Sequence, residues 1–219
     1  MQFYLIPKWF FGFDIALELF FGIITLLVAV YSLYIYKLSA QRECKFFGLS
    51  FIAISVSYFL WSAINAFITS VLNDGTRTIS INELSFIGFV GVYSHILLHV
   101  LGLATLAYMT LDVRGNRGYI LFTSLPLLLV VFSAQKAVAF YFVSSFLLMF
   151  VAVHYILEHR DKKRLTTLFL LFAFVLIFLG NVNFTFSAIR ETPYVIGHLL
   201  EALGYVFVLV SFILTIRKR

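Results

Sequence analysis

Charged residues, cysteine and proline are all scarce in this chain. Only 12% of its 219 residues are Asp, Glu, Lys or Arg, against about 25% in an ordinary soluble domain. The single cysteine, Cys44, excludes an internal disulfide and a metal site built from several thiolates. The chain also has no His-Glu-x-x-His, Gly-x-Ser-x-Gly or Walker sequence, so it lacks the motifs of zinc proteases, serine hydrolases and P-loop nucleotidases.

What the chain does contain is apolar. Hydrophobic residues make up 62% of the sequence, with 27 phenylalanines, and the mean hydropathy is +1.02. Long uncharged runs of this kind predict a multi-pass protein of the cell (plasma) membrane, whose first partner is the lipid bilayer. The net charge of +6 resides in short connectors, which favours contacts with anionic lipid head groups and argues against nucleic acid as a partner.

The apolar runs predict an all-α, seven-transmembrane-helix bundle. We expect residues 1–14 to form an interfacial N-terminal segment, and residues 15–219 to form a single seven-helix transmembrane domain. The fourth run is the weakest because it is short and contains Pro126. The predicted spans cover residues 15–36, 46–70, 84–111, 119–134, 137–157, 165–187 and 195–216.

The basic residues orient this bundle. Twelve Lys and Arg residues fall in the connectors after the first, third and fifth spans and after the seventh, whereas four fall on the opposite side. Because cytoplasmic loops carry the excess of Lys and Arg, the N-terminus is predicted outside and the C-terminus in the cytoplasm. The seventh span contains no lysine, which excludes a retinal Schiff base.

Three short matches suggest an internal repeat. The sequence VAVY (28–31) resembles VAVH (151–154), and LLHVLG (97–102) resembles LLEALG (199–204). Asparagines also close the second and sixth spans. Because the three matches occur in the same order, we predict a 3+1+3 arrangement, in which a single span links two units of three helices. The third and seventh spans would then face each other and touch across a pseudo-two-fold axis.

The spans contain polar residues that are costly in lipid and are therefore candidates for function. Their distance from the cytoplasmic edge of each span, at about 1.5 Å per residue, puts most of them in one layer in the outer half of the bilayer. His95 and His99 share a helical face, as do His198 and Glu201. The set is Glu18, His95, His99, His198 and Glu201, with the amides Asn65, Asn181 and Asn183.

Three imidazoles and two carboxylates at one depth predict a transition-metal ion or a haem b. His95, His99, His198, Glu201 and Glu18 would then be ligands, and the three asparagines would orient the imidazoles from outside the ligand set. Gly91 and Gly102 would admit a flat macrocycle, and Arg190 would hold its propionates. The predicted function is redox or electron transfer, as a subunit of a larger membrane assembly or as a homo-oligomer.

Three alternatives remain open at this point. The same layer suits a transporter or channel for a small solute or proton, gated by histidine protonation. It also suits a seven-helix sensor or receptor module. Finally, histidine and asparagine side chains often bridge membrane helices by hydrogen bonds, so the layer is also consistent with a network that only packs.

Overall fold

The computed structural model describes Pro7, Trp9, Phe10, Gly12 and residues 13–73, 81–111, 115–187 and 189–217. Regular structure in these ranges is α-helical throughout. Each of the seven predicted spans coincides with one helix. The helices are α1 (Phe13–Ser39), α2 (Arg42–Asn73), α3 (Ile81–Thr110), α4 (Asn116–Phe132), α5 (Lys136–Lys162), α6 (Leu165–Phe186) and α7 (Thr192–Arg217).

Six of these helices are long and apolar enough to cross a membrane. They form because a backbone surrounded by lipid must satisfy its own N–H and C=O groups, which a helix does internally. The exception is α4, which has 17 residues and contains Pro126. That length lies at the lower limit of the range of about 17–25 residues for a spanning helix.

The six long helices form a closed ring. Around it, α1 contacts α2, α2 contacts α3, α3 contacts α5, α5 contacts α6, α6 contacts α7, and α7 returns to α1. The short helix α4 packs outside the ring against α3 and α5. Its outward side chains are apolar and exposed, as lipid contact requires; they include Ile120, Leu121, Leu125 and Leu129.

Two glycines make close helix contacts at corresponding places in the ring. A Cβ on Gly102 of α3 would lie 2.6 Å from Ile54 Cγ1 and 2.8 Å from the Ser50 carbonyl oxygen of α2. On Gly204 of α7 it would lie 2.5 Å from Ile177 Cγ1 and 2.9 Å from the Ala173 carbonyl oxygen of α6. Both helix pairs therefore approach through a glycine, an isoleucine and a backbone oxygen in the same register.

The hairpin turns after α1 and α5 also correspond. Ala40 (φ 53°) and Lys163 (φ 46°) adopt the left-handed conformation that ends each helix. Each N–H donates at 2.8 Å to the carbonyl four residues earlier. Both helices have 27 residues, and α2 and α6 begin two residues after these turns, at Arg42 and Leu165.

The repeat in the sequence led us to expect that α3 and α7 would touch. In the described residues these two helices make no direct contact and lie on opposite sides of the ring. The reason is that each glycine face turns towards a neighbouring helix of its own half, α2 or α6, and not towards the centre.

Most of the predicted interfacial segment (1–14) and of the long connector at 73–82 lies outside the described residues. Of the rest, Trp9 is 68% exposed, as an interfacial residue would be. Phe10 is buried and packs with Phe184 and Tyr194, so this part of the segment belongs to the bundle. Helix α1 begins three residues later, at Phe13.

Candidate functional site

A cavity of about 320 Å³ lies inside one end of the ring. It is formed by the first parts of α1, α3, α5 and α7 and by the last parts of α2 and α6. Of the eight polar residues selected from the sequence, the structure brings seven together here: Glu18, Asn65, His95, His99, Asn181, His198 and Glu201. The eighth, Asn183, instead donates to the Leu179 carbonyl of its own helix at 2.8 Å.

Glu201 lies at the centre of a hydrogen-bond network. The Asn181 amide donates to Oε1 at 2.9 Å, and the Tyr58 hydroxyl donates to Oε2 at 3.3 Å. The Tyr58 hydroxyl also lies 3.1 Å from the hydroxyl of Tyr205. All four side chains are buried, so this network joins α2, α6 and α7 inside the bundle.

Two further carboxyl groups lie on α1. Glu18 accepts a hydrogen bond from the Asn65 amide at 3.4 Å. Asp14 accepts the backbone N–H groups of Gly12 and Ile15 at 2.8 and 2.9 Å, a position near the N-terminus of α1 that favours negative charge. The Tyr194 hydroxyl also donates to Asp14, at 3.5 Å. Both carboxyl groups are buried.

The histidines of α3 differ in their hydrogen bonding. Nδ1 of His95 lies 2.9 Å from the Ser57 hydroxyl, so this ring is tied to α2. His99 is 4% exposed, and the described structure gives its Nδ1 no hydrogen-bond partner. The His99 ring contacts Tyr58 and Phe140 edge-on, with centroid distances of 5.3 and 5.5 Å.

His198 is the least satisfied side chain of the cavity. It is 5% exposed, yet both ring nitrogens lack a hydrogen-bond partner in the described part of the chain. Its neighbours are aromatic, with ring centroids at 4.6 Å for Tyr194, 4.9 Å for Phe184 and 5.7 Å for Phe10. Since a buried polar group without a partner is costly, this imidazole is free to meet a ligand.

The arrangement differs from a converged metal site. In the ranges that the structure describes, no group of three or more His, Cys, Asp or Glu side chains is placed to hold a metal ion. Tyr58 lies between the histidines of α3 and the carboxyl group of α7, because its ring contacts His99 and its hydroxyl contacts Glu201. The metal ion and the haem b stay predictions.

Three residues assigned to the haem lie apart from the cavity. A Cβ on Gly91 would lie 2.8 Å from Ile64 of α2, so Gly91, like Gly102, faces α2. Arg190 is exposed in the connector between α6 and α7. The structure therefore uses the two glycines for helix packing, and it leaves the arginine outside the polar layer.

The sequence did not point to Asp14, Tyr58, Trp61 or Tyr205. Tyr58 donates to Glu201 and lies 3.1 Å from the hydroxyl of Tyr205, and Asp14 lines the cavity with Glu18. Asp14 had been placed at the edge of the interfacial segment. Tyr58 lies two helical turns from Asn65, on the same face of α2, and this spacing is the signal that was available. Trp61 lines the cavity together with Glu18.

The walls of the cavity differ in chemistry. All three carboxyl groups lie on the adjacent helices α1 and α7, whereas His95, His99, Phe140 and Tyr141 come from the adjacent helices α3 and α5. No lysine or arginine is among the described residues that line it. An ionised carboxylate on this wall would therefore gain from a bound cation.

A wider groove of about 960 Å³ adjoins the cavity. The cavity opens through this groove between the ends of α2, α3, α5 and α6. Seven residues line both: Trp61, Asn65, Ile68, Val92, Ala137, Tyr141 and Phe184. Lys136 lies in the groove, and its ammonium donates to the carbonyls of Val131 and Ser133 at 2.9 and 3.1 Å.

Comparison of the chain with models of protein families, with curated proteins and with solved structures finds no match.

Proposed function

We propose that this protein is a transporter that carries a small solute through the central cavity. The observation that carries the proposal is the cavity itself, which lies between two sets of three helices and contains buried polar groups that have no partner among the described residues. Transporters built from structural repeats commonly place their substrate site at the interface between the repeats. A network that only packs would be expected to satisfy most of its members, whereas both ring nitrogens of His198 lack a partner in the described residues.

The internal repeat is part of this proposal. The units are α1–α3 and α5–α7, and α4 links them. Support comes from the equal lengths of α1 and α5 and from the left-handed turns that follow both. The glycine contacts of Gly102 on α2 and of Gly204 on α6 add to it. Two such units can rock against each other around a fixed site, which is how many transporters alternate access.

We further propose that this is a plasma-membrane protein that crosses the membrane seven times. Its N-terminus would lie outside the cell and its C-terminus in the cytoplasm. Helices α3 and α5 both begin at the cavity end of the ring. The chain must therefore return across the full bundle between them, and α4 is the helix available. Its 17 residues span about 25 Å at 1.5 Å per residue. The excess of basic residues at the end of the ring away from the cavity supports the orientation.

Flux measurements on reconstituted protein test the transporter. Proteoliposomes would be examined for swelling in concentration gradients of neutral solutes. They would also be examined for electrical currents after a sudden increase in the concentration of a charged solute. Ala137 lines both the cavity and the groove, so Ala137→Trp should block the passage. Ala66 is exposed on α2 and lines neither, so Ala66→Trp is the matched control. Flux that Ala137→Trp leaves unchanged, or the absence of flux for every solute, would contradict the proposal.

The redox alternative makes a different prediction for the same preparation. A haem b or a transition-metal ion would appear in an absorption spectrum or in elemental analysis of the purified protein. Solute flux without a bound metal or haem favours the transporter. A stoichiometric metal or a Soret band that disappears in His198→Ala would favour the redox protein.

A further inference from the structure

We propose that the solute is a small organic monocation, in which an ammonium group is joined to an apolar or aromatic body. This inference rests on the proposed transport function, and it concerns the same cavity. The ammonium group would lie against the wall formed by α1 and α7. The body of the solute would lie against the wall formed by α3 and α5.

Charge is the first argument. Asp14, Glu18 and Glu201 bring three carboxyl groups to one wall, and the described lining residues include no lysine or arginine. Glu18 is bonded by the neutral amide of Asn65, and Glu201 by the neutral amide of Asn181 and the hydroxyl of Tyr58. These amides orient the carboxyl groups without neutralising them, so the wall is complementary to a positive ligand.

The aromatic surface is the second argument. Tyr58, Trp61, Phe140, Tyr141, Phe184 and Tyr194 all line the cavity. The face of an aromatic ring attracts an ammonium group, and aromatic cages of this kind recognise quaternary ammonium ligands. The same rings provide apolar contact for the rest of the molecule. An anion would find no basic partner in the described lining, and a polyhydroxylated solute would meet few donors on the α3–α5 wall.

His198 is the third argument and is independent of the carboxyl groups. Its ring belongs to the acidic wall, is nine-tenths buried, and has two nitrogens without a partner in the described residues. An ammonium group that carries an N–H is a hydrogen-bond donor, so it can meet an unprotonated imidazole nitrogen and a carboxylate together. The cavity thus offers both charge and an acceptor at one place.

The volume of the cavity further limits which organic cations can bind. The cavity measures about 320 Å³, which is at the lower end of the range of roughly 300–1,000 Å³ for small-molecule sites. It suits a single amine with a short chain or one ring. It excludes long polyamines and large lipophilic cations.

Binding to the full-length purified protein tests this inference. The probes are benzylamine, butylamine and tetramethylammonium as cations, benzyl alcohol and butanol as neutral counterparts, and benzoate and butyrate as anions. Thermal stabilisation and calorimetry report binding. We expect at least one cation to bind and its neutral and anionic counterparts to bind far more weakly. Equal binding of neutral counterparts, or no binding by any cation, would overturn the inference.

Charge-neutral variants locate the site. Glu201→Gln and Glu18→Gln keep the size and shape of the side chain, remove its charge and replace one acceptor oxygen by an NH2 donor. Each should weaken cation binding by about 30-fold or more. Glu158 lies outside the cavity and pairs with Lys162 at 2.7 Å, so Glu158→Gln is the matched control. Wild-type affinity in both cavity variants would overturn the inference.

The two proposals can fail separately. Flux of neutral or anionic solutes that Ala137→Trp blocks, together with the absence of cation binding, would overturn the monocation and retain the transporter. Cation binding lost in Glu201→Gln, without flux of any solute, would retain the site and overturn transport.

Discussion

The hydroxyl of Tyr58 donates a hydrogen bond to Oε2 of Glu201 at 3.3 Å, although the helices that carry them, α2 and α7, are not neighbours in the ring. The same hydroxyl lies 3.1 Å from that of Tyr205, also on α7. One side chain of the first three helices thus connects through the centre of the bundle to two side chains of the last three. This connection is short, polar and buried, so changes to it should be measurable.

Replacing Tyr58 by phenylalanine removes only this hydroxyl. We expect Tyr58→Phe to lower the free energy of unfolding by about 1–3 kcal/mol, because buried oxygens of Glu201 and Tyr205 lose a partner. Thermal unfolding in detergent measures the change. Tyr34 is 56% exposed, so Tyr34→Phe should stay within about 0.5 kcal/mol of wild type. Equal stability of the two variants would mean that the bond is not formed.

Glycine substitutions test the close helix contacts. Gly102→Ala and Gly204→Ala should each cost about 1–3 kcal/mol, because the new methyl group meets an isoleucine side chain and a backbone oxygen that cannot move aside. Gly88 of α3 is the control, since a Cβ there would be 3.9 Å from the nearest atom. Gly88→Ala should be neutral or slightly stabilising, given the better helix propensity of alanine. If all three variants unfolded at the same temperature, the proposed packing would be refuted.

The two asparagines of α6 should behave differently although they are two residues apart. Asn181 is 1% exposed and bonds Glu201. Asn181→Ala should therefore cost about 1–3 kcal/mol, because it leaves a buried carboxyl oxygen without its donor. Asn183 bonds a carbonyl of its own helix outside the cavity, so Asn183→Ala should cost less than about 0.5 kcal/mol. The reverse order in melting temperature would contradict the assignment of Asn181 to the site.

Replacing His198 by phenylalanine should abolish function without lowering stability. Phenylalanine preserves an aromatic ring and removes two nitrogens that have no partner in the described structure. His198→Phe should leave stability unchanged or raise it by up to about 2 kcal/mol, since an unsatisfied buried polar group is costly. Solute flux and cation binding should be lost at the same time. His154, whose side chain is 38% exposed near the other end of α5, provides the control variant His154→Phe. A destabilised His198→Phe with normal flux would indicate a purely structural role.

The orientation of the bundle can be measured directly. A tag at the N-terminus should be accessible from outside intact cells, and a tag after Arg219 should be accessible only after permeabilisation. This follows from seven crossings and from the distribution of Lys and Arg. Both tags found on the same side would leave six crossings and would exclude α4 as a spanning helix.

The depth of the polar residues along their spans was the sequence property that best predicted which side chains line the cavity. A polar residue in an apolar run can be placed along the helix axis by counting, because the rise per residue is fixed. Counting selected seven side chains that do line the cavity. Asn183 was chosen only as a polar residue of the same span as Asn181, and counting does not separate the two because the rotation of a helix about its axis is set by packing. That packing depends on shape, and in α6 it turns Asn181 inward and Asn183 away.

The missed residues have a common physical reason. Tyr58, Trp61 and Tyr205 are amphipathic, and in a membrane sequence such side chains are as typical of lipid contact as of a polar network. The glycines of α3 were ambiguous in a related way. A stripe of small residues admits either a flat ligand or another helix, and the structure places α2 against Gly91 and Gly102.

The hairpin of α2 and α3 is longer than its counterpart in α6 and α7. Helices α2 and α6 begin at matching positions after their turns, yet α2 has 32 residues and α6 has 22. The ten additional residues amount to about 15 Å of helix. This extension carries Asn65, Ile68 and Thr69, which line the cavity, and together with α3 it forms one side of the groove. A molecule that enters at the cavity end of the ring therefore meets a raised rim on one side of the opening and a low one on the other, which gives the opening a preferred direction of approach.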